Sequence, residues 1–140
     1  MVRDTLVDKA KTLRNDVYFV KRGAINWTTH DFDQDPRAVA VMIDDFQLFG
    51  KTNSGMKTAN LSIEMFAKMP QRDGKPEIDD ALQDELVDDA EALLRHLQTA
   101  RDGGDNPVVF KLDLESARVI EAHDIEIQVQ GAVVQFAITY

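Results

Sequence analysis

The chain has 140 residues, of which 44% are hydrophobic and 29% are charged, and it contains no cysteine. This composition is typical of one globular domain over residues 1–140, and the lack of cysteine excludes disulfides and thiolate metal sites. The formal charge of −9 disfavours tight nucleic-acid binding, because such binders gather Lys and Arg against phosphates. A membrane span is not expected, since no apolar run approaches the roughly 18 residues that a span needs. A secretory leader is not expected either, since the N-terminal stretch carries charge throughout and lacks an apolar core.

Residues 3–14 form the first predicted element, a short amphipathic helix. Its apolar residues recur on one helical stripe, which consists of Leu6, Val7, Ala10 and Leu13. A first strand is predicted over 17–20. The stretch 21–37 has little periodicity and predicts a long loop, a kind of segment that is often functional in small domains.

Residues 38–50 and 58–70 predict a long β-hairpin. The second strand alternates, with Ala59, Leu61, Ile63, Met65, Ala67 and Met69 facing inward and the residues between them outward, so it is expected to be half-buried. The loop 50–58 between the strands contains "GKTNSG". This motif resembles the end of a phosphate-binding loop, but Asp45 occupies the position of its first glycine, so a hairpin tip is predicted.

Residues 77–101 give the strongest local pattern, a long helix. Its stripe recurs at spacings of three and four residues and consists of Ile78, Leu82, Leu86, Ala90, Leu93 and Leu97. Pro76 suits the first helical turn, and Gly103-Gly104 predicts the end.

The C-terminal part predicts strands at 107–114, at 117–122 and in "DIEIQVQGAVVQFAITY" (124–140). The apolar alternation of the last stretch changes phase at Gln130-Gly131. A bulge with Gly131 at positive φ, a tight turn, or a kink that opens a long final strand each account for this change, and the last is favoured.

Together these elements predict an α+β fold. The expected architecture is a mainly antiparallel sheet of four to six strands, with the long helix and the short N-terminal helix packed on one face.

Residues that carry chemistry are few in this sequence. The long helix has an acidic face, including Asp80, Asp84, Asp88 and Glu91, which is interpreted as a solvated face, a cation site or an electronegative wall in an assembly. The histidines His30, His96 and His123 are widely separated. No motif for a nucleophile, a cofactor or a metal occurs, so no catalytic, cofactor-binding or metal-binding residue is assigned.

The order of elements, the helix sequence "IDDALQDELVDDAEALLRHL" and the ending "VQG" before "AVVQFAITY" resemble the tail terminator (tail completion) proteins of tailed bacteriophages. The resemblance implies a virion protein of the tail or neck, made in the host cytoplasm, without cofactor or catalysis. Such proteins form a ring, expected to be hexameric, that caps the tail tube and ends its polymerisation. The ring joins the tube protein to a head-side connector or stopper protein, and DNA passes through it without specific binding.

Three residues are predicted to contact other subunits or partners, namely Trp27, Phe32 and Met56. Large apolar groups in polar loops need a cover, and aromatic residues dominate interfaces. The alternative is that the aromatic residues fold back on their own domain. The acidic residues of the long helix are assigned to a lumen or to an exposed face.

Two other functions fit the sequence. One is a different neck or tail adaptor of a phage. The other is a small metal-dependent hydrolase, which would use His30, His123 and the helix carboxylates.

Overall fold

The computed structural model describes residues 2–48, 57–103 and 111–139. The elements in these ranges are α1 (Val2–Thr12), β1 (Tyr18–Arg22), β2 (Arg37–Leu48), β3 (Lys57–Lys68), β4 (Gln71–Arg72), β5 (Lys75–Pro76), α2 (Asp80–Gly103), β6 (Lys111–Asp124) and β7 (Val129–Thr139). Met56, most of the predicted loop 50–58, Gly104, residues 107–110 and Tyr140 lie outside the described residues.

Five strands form one mixed sheet in the order β1-β2-β3-β7-β6, and β4 and β5 form a separate small hairpin. The α+β prediction is confirmed, but the expectation of a mainly antiparallel sheet is wrong in detail because β1 and β2 are parallel. Their register runs from Tyr18 opposite Arg37 to Arg22 opposite Val41. The segment 23–36 accounts for this pairing, since it returns the chain to the end of the sheet from which β1 started.

Both helices pack on one face of the sheet, and they also contact each other. The predicted stripe of α1 is buried there, and so are four residues of the α2 stripe, Leu86, Ala90, Leu93 and Leu97. They meet alternate residues of the central strands, such as Val39, Ile63 and Val134. Burial of this layer stabilises the fold by about 25 cal/mol per Å² of apolar surface removed from water.

The opposite face of the sheet is covered in part by the segment 23–36. Ile25 and Trp27 pack there against Ala38 and Ala40 of β2. On the neighbouring strand Phe66 is only 7% exposed. The prediction of a half-buried β3 is therefore wrong around Phe66, because the loop supplies a second apolar cover that periodicity cannot reveal.

The long helix begins later than predicted. Pro76 lies in β5, opposite Gln71, and does not start the helix. Asp79 is the N-cap, since its Oδ1 accepts hydrogen bonds from the amide nitrogens of Ala81 at 3.1 Å and Leu82 at 3.3 Å. Ile78 therefore precedes the helix and is 36% exposed.

The hairpin β4–β5 turns at Asp73 and Gly74, which both have positive φ, 54° and 77°. Asp-Gly is a strong signal for this kind of two-residue turn. The sequence patterns assign no element between the strand that ends at residue 70 and the helix that begins at residue 77, so this hairpin is an addition to the predicted fold.

The C-terminal predictions need two corrections. The strands predicted at 107–114 and 117–122 are joined in one strand, β6, whose register with β7 shifts between Asp113 and Arg118. The turn before β7 lies at 125–128, and Gly131 is in the middle of regular pairing, opposite Phe66. A bulge or turn at Gly131 is therefore wrong, while the long final strand is confirmed as far as Thr139.

Within the described ranges neither helix combines the length and the apolar character that a membrane crossing requires.

Candidate functional site

A polar network joins the end of α1 to β1 and α2. Asp89 of α2 is only 6% exposed. Its Oδ2 accepts a hydrogen bond from the Tyr18 hydroxyl at 2.6 Å and another from Arg14 Nε at 2.7 Å. The buried carboxylate of Asp89 therefore connects α2 to the segment that joins α1 and β1, which is far away in the sequence.

A second ion pair extends the network to β2. Arg37 Nη2 donates to Glu85 Oε2 at 2.5 Å, and Arg14 Nη2 reaches the backbone oxygen of Glu85 at 3.5 Å. An open cleft of about 510 Å³ lies beside these groups, lined by Arg14, Val17, Pro36, Arg37 and Glu85. Each cation that lines the cleft has a carboxylate partner in the network.

The pKa values in the network follow from burial and from these partners. Burial raises the pKa of Tyr18 well above its usual range, and the hydrogen bond to Asp89 adds to the shift. The hydrogen bond to Asp89 raises the pKa of Arg14, and the hydrogen bond from Arg37 lowers the pKa of Glu85. At neutral pH the Tyr18 hydroxyl is therefore a neutral donor, and the pairing of Glu85 with Arg37 favours the charged form of the carboxylate.

The chain enters this network through a left-handed turn. Arg14, Asn15 and Asp16 have φ values of 47°, 58° and 65°. Asn and Asp tolerate this region, but Arg14 adopts it at a cost in backbone free energy. The bonds that Arg14 donates to α2 offset that cost and direct the chain into β1.

A second set of buried polar groups joins the start of α2 to β7. Gln130 has 0% exposure, and its Oε1 accepts from the Asp79 amide nitrogen at 2.9 Å. Its Nε2 donates to Asp79 O at 2.9 Å and to Gln83 Oε1 at 3.1 Å. Gln83 Nε2 in turn donates to Gly131 O at 2.5 Å. These bonds fix the position of the acidic end of α2 over the sheet.

The two predicted interface aromatics in the described residues come together on the outer face. The rings of Trp27 and Phe32 stack at 6.1 Å between centroids, and Trp27 meets Phe66 edge-on at 4.9 Å. Trp27 Nε1 also donates to Glu64 Oε1 at 3.3 Å. Both aromatics are partly exposed and pack within their own domain, which is the alternative left open above.

The predicted acidic residues lie on α2, and all of them, Asp80, Asp84, Asp88 and Glu91, are exposed. Two of them, Asp80 and Asp84, line an open cleft of about 460 Å³ together with Glu121 and His123 of β6. This cleft places an acidic surface at the β6 edge of the sheet.

The histidines of the hydrolase hypothesis are not brought together. His30 contacts the ring of Phe19 on β1 at 5.5 Å, and its Nε2 lies 3.1 Å from Asp35 O. His123 is on β6, four strand spacings away, or about 19 Å across the sheet. In 2–48, 57–103 and 111–139 no three His, Asp or Glu side chains are arranged to hold a metal ion.

The large apolar side chains that are exposed in the described part of the chain lie at the two edges of the sheet. Val17 and Phe19 are 46% and 41% exposed at the β1 edge. At the β6 edge Ile120 is 44% exposed and Ile125 is 61% exposed. Ile78 lines the cleft with Glu121 on the helix-covered face, whereas Ile120 points to the opposite face of the sheet. In these ranges β1 pairs only with β2, and β6 pairs only with β7.

Sequence reasoning missed both polar networks. Arg14 and Asp89 are 75 positions apart, and no local pattern connects them. Gln130 stands at the phase change of the apolar alternation, and a polar residue at such a position signals burial with hydrogen-bonding partners.

In comparisons with models of known protein families and with curated protein sequences, nothing matches this chain.

Proposed function

We propose that this protein is a virion structural protein of a tailed phage, a ring-forming tail terminator. Its subunits close into a ring on the head-side end of the tail tube, stop tube polymerisation and present a surface to the connector or stopper protein. It acts through its interfaces and without catalysis. The element order, the acidic helix and the closing strand described above support the family, and the two edges of the sheet support the assembly.

The observation that carries the proposal is the position of the exposed apolar residues. Phe19 marks one edge of the sheet and Ile120 the other, about 19 Å apart. Edge strands present unpaired backbone groups that invite pairing with another chain, and the exposed apolar groups at these two edges add surface that such pairing would bury. Two different surfaces at opposite ends of one subunit are what a head-to-tail ring requires.

The exposed acidic row of α2 fits the same role. Asp84, Asp88 and Glu91 are exposed, and the whole chain carries a formal charge of −9. Such a surface repels the phosphates of DNA, so a lumen or rim of this charge lets DNA slide without sticking.

The proposal is tested by assembly with a tail tube protein encoded beside this protein. Polymerising tube subunits are mixed with increasing amounts of the protein, and tube lengths and ends are measured by electron microscopy. We expect shorter tubes with a ring at one end, and rings of the protein alone at high concentration. The network variant Tyr18→Phe removes a buried hydroxyl of β1 and changes no exposed side chain of either edge, so it serves as a matched control and is expected to cap tubes normally.

Unchanged tube lengths, together with no binding of the protein to tubes, would contradict the proposal. Metal analysis of the purified protein then tests the hydrolase hypothesis. Stoichiometric zinc or manganese, with a melting temperature that falls in EDTA, favours the hydrolase.

A further inference from the structure

We infer that the β6 edge of one subunit binds the β1 edge of a second copy of this chain, through opposite net charges at the two edges, which also carry exposed apolar residues. This inference deepens the proposed function, because it names the two surfaces that join subunits of the ring. The β1-edge surface consists of Lys11, Val17, Phe19, Lys21 and Arg22. The β6-edge surface consists of Ile78, Asp80, Asp84, Ile120, Glu121, Asp124, Ile125 and Glu126.

The β1-edge surface has a net positive charge. The segment 2–22 contains six Lys or Arg and three Asp, although the chain as a whole is strongly acidic. Arg14 is paired with Asp89 of α2, and at the edge Lys11, Lys21 and Arg22 outnumber Asp4 and the exposed Asp16. Lys21 and Arg22 are exposed on β1, and Arg22 Nε pairs with Asp4 Oδ1 of α1 at 3.0 Å. Lys11 follows Asp4 by seven positions, so it lies on the same side of the helix, above the edge strand.

The β6-edge surface has a net negative charge. Glu121, Asp124 and Glu126 are exposed on β6 and in the turn that follows it, and they outnumber the exposed Arg118 of the same strand. Asp80 and Asp84 add two carboxylates from α2, and they line the same cleft as Glu121. This cleft is open and lined by carboxylates, which makes it a suitable seat for a lysine or arginine of another subunit.

The charges favour contact between unlike edges. Two β6 edges facing each other would bring Glu121 toward a second acidic surface, and two β1 edges would oppose Lys21 with lysine and arginine. Like charges across an interface cost free energy, whereas complementary charges select the partner and its orientation. The resulting contact is heterologous, and it closes into a ring when the rotation between subunits permits.

A charge exchange between the edges tests the inference. Lys21→Glu and Glu121→Lys are made separately and together, and self-association is followed by sedimentation velocity over a range of protein concentrations. Each single variant is expected to weaken association about tenfold, because an attraction becomes a repulsion. An equimolar mixture of the two variants, and the double variant, are expected to recover most of the wild-type affinity, since every contact then pairs opposite charges again.

Two control variants change the net charge equally at exposed positions outside both surfaces. Asp88→Lys lies on α2 and matches Glu121→Lys, while Lys68→Glu lies at the end of the central strand β3 and matches Lys21→Glu. Neither is expected to weaken association. Circular dichroism melting of every variant shows whether a loss of association is a loss of folding.

The inference is overturned if wild type is a monomer at all concentrations, if the single variants associate like wild type, or if the mixture does not recover. The tube-capping assay reports separately on the proposed function. If both edge variants still cap tubes, the interface is refuted and the proposed function is retained. If the charge exchange restores association but the protein does not cap tubes, the interface is supported and the proposed function is refuted.

Discussion

The Tyr18 hydroxyl donates to Asp89 Oδ2 at 2.6 Å, across 71 positions of the chain. The same oxygen accepts from Arg14, so a single carboxylate determines how α1, β1 and α2 meet. A buried carboxylate is stabilising only while its partners remain, and the loss of any one of them has a measurable cost.

Replacement of Asp89 by Ala is expected to lower the free energy of unfolding by about 3 kcal/mol, because the Tyr18 hydroxyl and the Arg14 guanidinium lose their acceptor. Tyr18→Phe removes one bond and is expected to cost about 1 kcal/mol. Urea unfolding of the two single variants and the double variant forms a cycle. A coupling energy near zero would mean that the bond contributes nothing beyond packing.

The pH dependence of stability follows from the raised pKa of Tyr18. Above its ordinary pKa of 10.0, Tyr18 loses its proton in the unfolded chain and keeps it in the folded one. The unfolded state then binds fewer protons, so this contribution is complete below pH 10 and is lost as pH rises further, by up to about 1.4 kcal/mol per pH unit. Unfolding between pH 9 and pH 11 is expected to show a smaller decrease in Tyr18→Phe than in wild type. Equal slopes contradict the prediction.

Gln130→Ala is expected to destabilise the protein by about 2 kcal/mol. The substitution leaves the Asp79 backbone groups and the Gln83 side chain without their partner beside the start of α2. Gln135→Ala, on the same strand but exposed, is the matched control and is expected to change stability by less than about 0.5 kcal/mol. Thermal and urea unfolding measure both variants, and similar values for the two would contradict a structural role for Gln130.

Gly131→Ala is expected to cost about 3 kcal/mol or more. A Cβ atom at this position would lie 1.9 Å from Met65 O, and a backbone atom can move away only if the strands separate. Gly74→Asn is the comparison, because nothing lies within 4 Å of an added Cβ there and Asn tolerates its φ of 77°. A Gly131→Ala variant as stable as wild type would show that β3 and β7 adjust freely.

Trp27→Ala is expected to lower stability by about 2 kcal/mol and to loosen the segment 23–36, since Trp27 packs on Phe66 and bonds to Glu64. Trp27→Phe keeps an aromatic ring and is expected to lose about half as much. Cleavage by a protease specific for aspartate, at Asp31 and Asp33, should become faster in Trp27→Ala. An unchanged cleavage rate would show that the loop is held by other contacts.

Local patterns predicted the elements well where one face of an element is buried against one layer. Examples are the stripe of α1 and the α2 residues Leu86, Ala90, Leu93 and Leu97. A period near 3.6 in the sequence places such residues on one face of a helix, and that face is the one that packs on the sheet. The same reasoning failed for Phe66, which is buried by a loop from another part of the chain, and for Pro76, which belongs to the hairpin that turns at Asp73-Gly74.

The candidate surfaces show the same division. That α2 carries an exposed acidic row follows from its sequence, because those carboxylates fall between the apolar positions of the helix. The strand order β1-β2-β3-β7-β6, in contrast, is not visible in the sequence. This order places Glu121 beside Asp80 and puts the segment 2–22 at the opposite edge of the sheet.

The sequence by itself determined an α+β domain, the inward residues of its helices and of its central hairpin, and an uneven distribution of charge along the chain. The tertiary structure alone decided that β1 pairs in parallel with β2, that Tyr18 and Arg14 share Asp89, and that basic and acidic surfaces occupy opposite edges. The physical reason is the distance along the chain between the residues that interact. Helix and strand periodicities depend on neighbouring residues, whereas strand order and buried hydrogen bonds depend on which distant segments meet when the core closes.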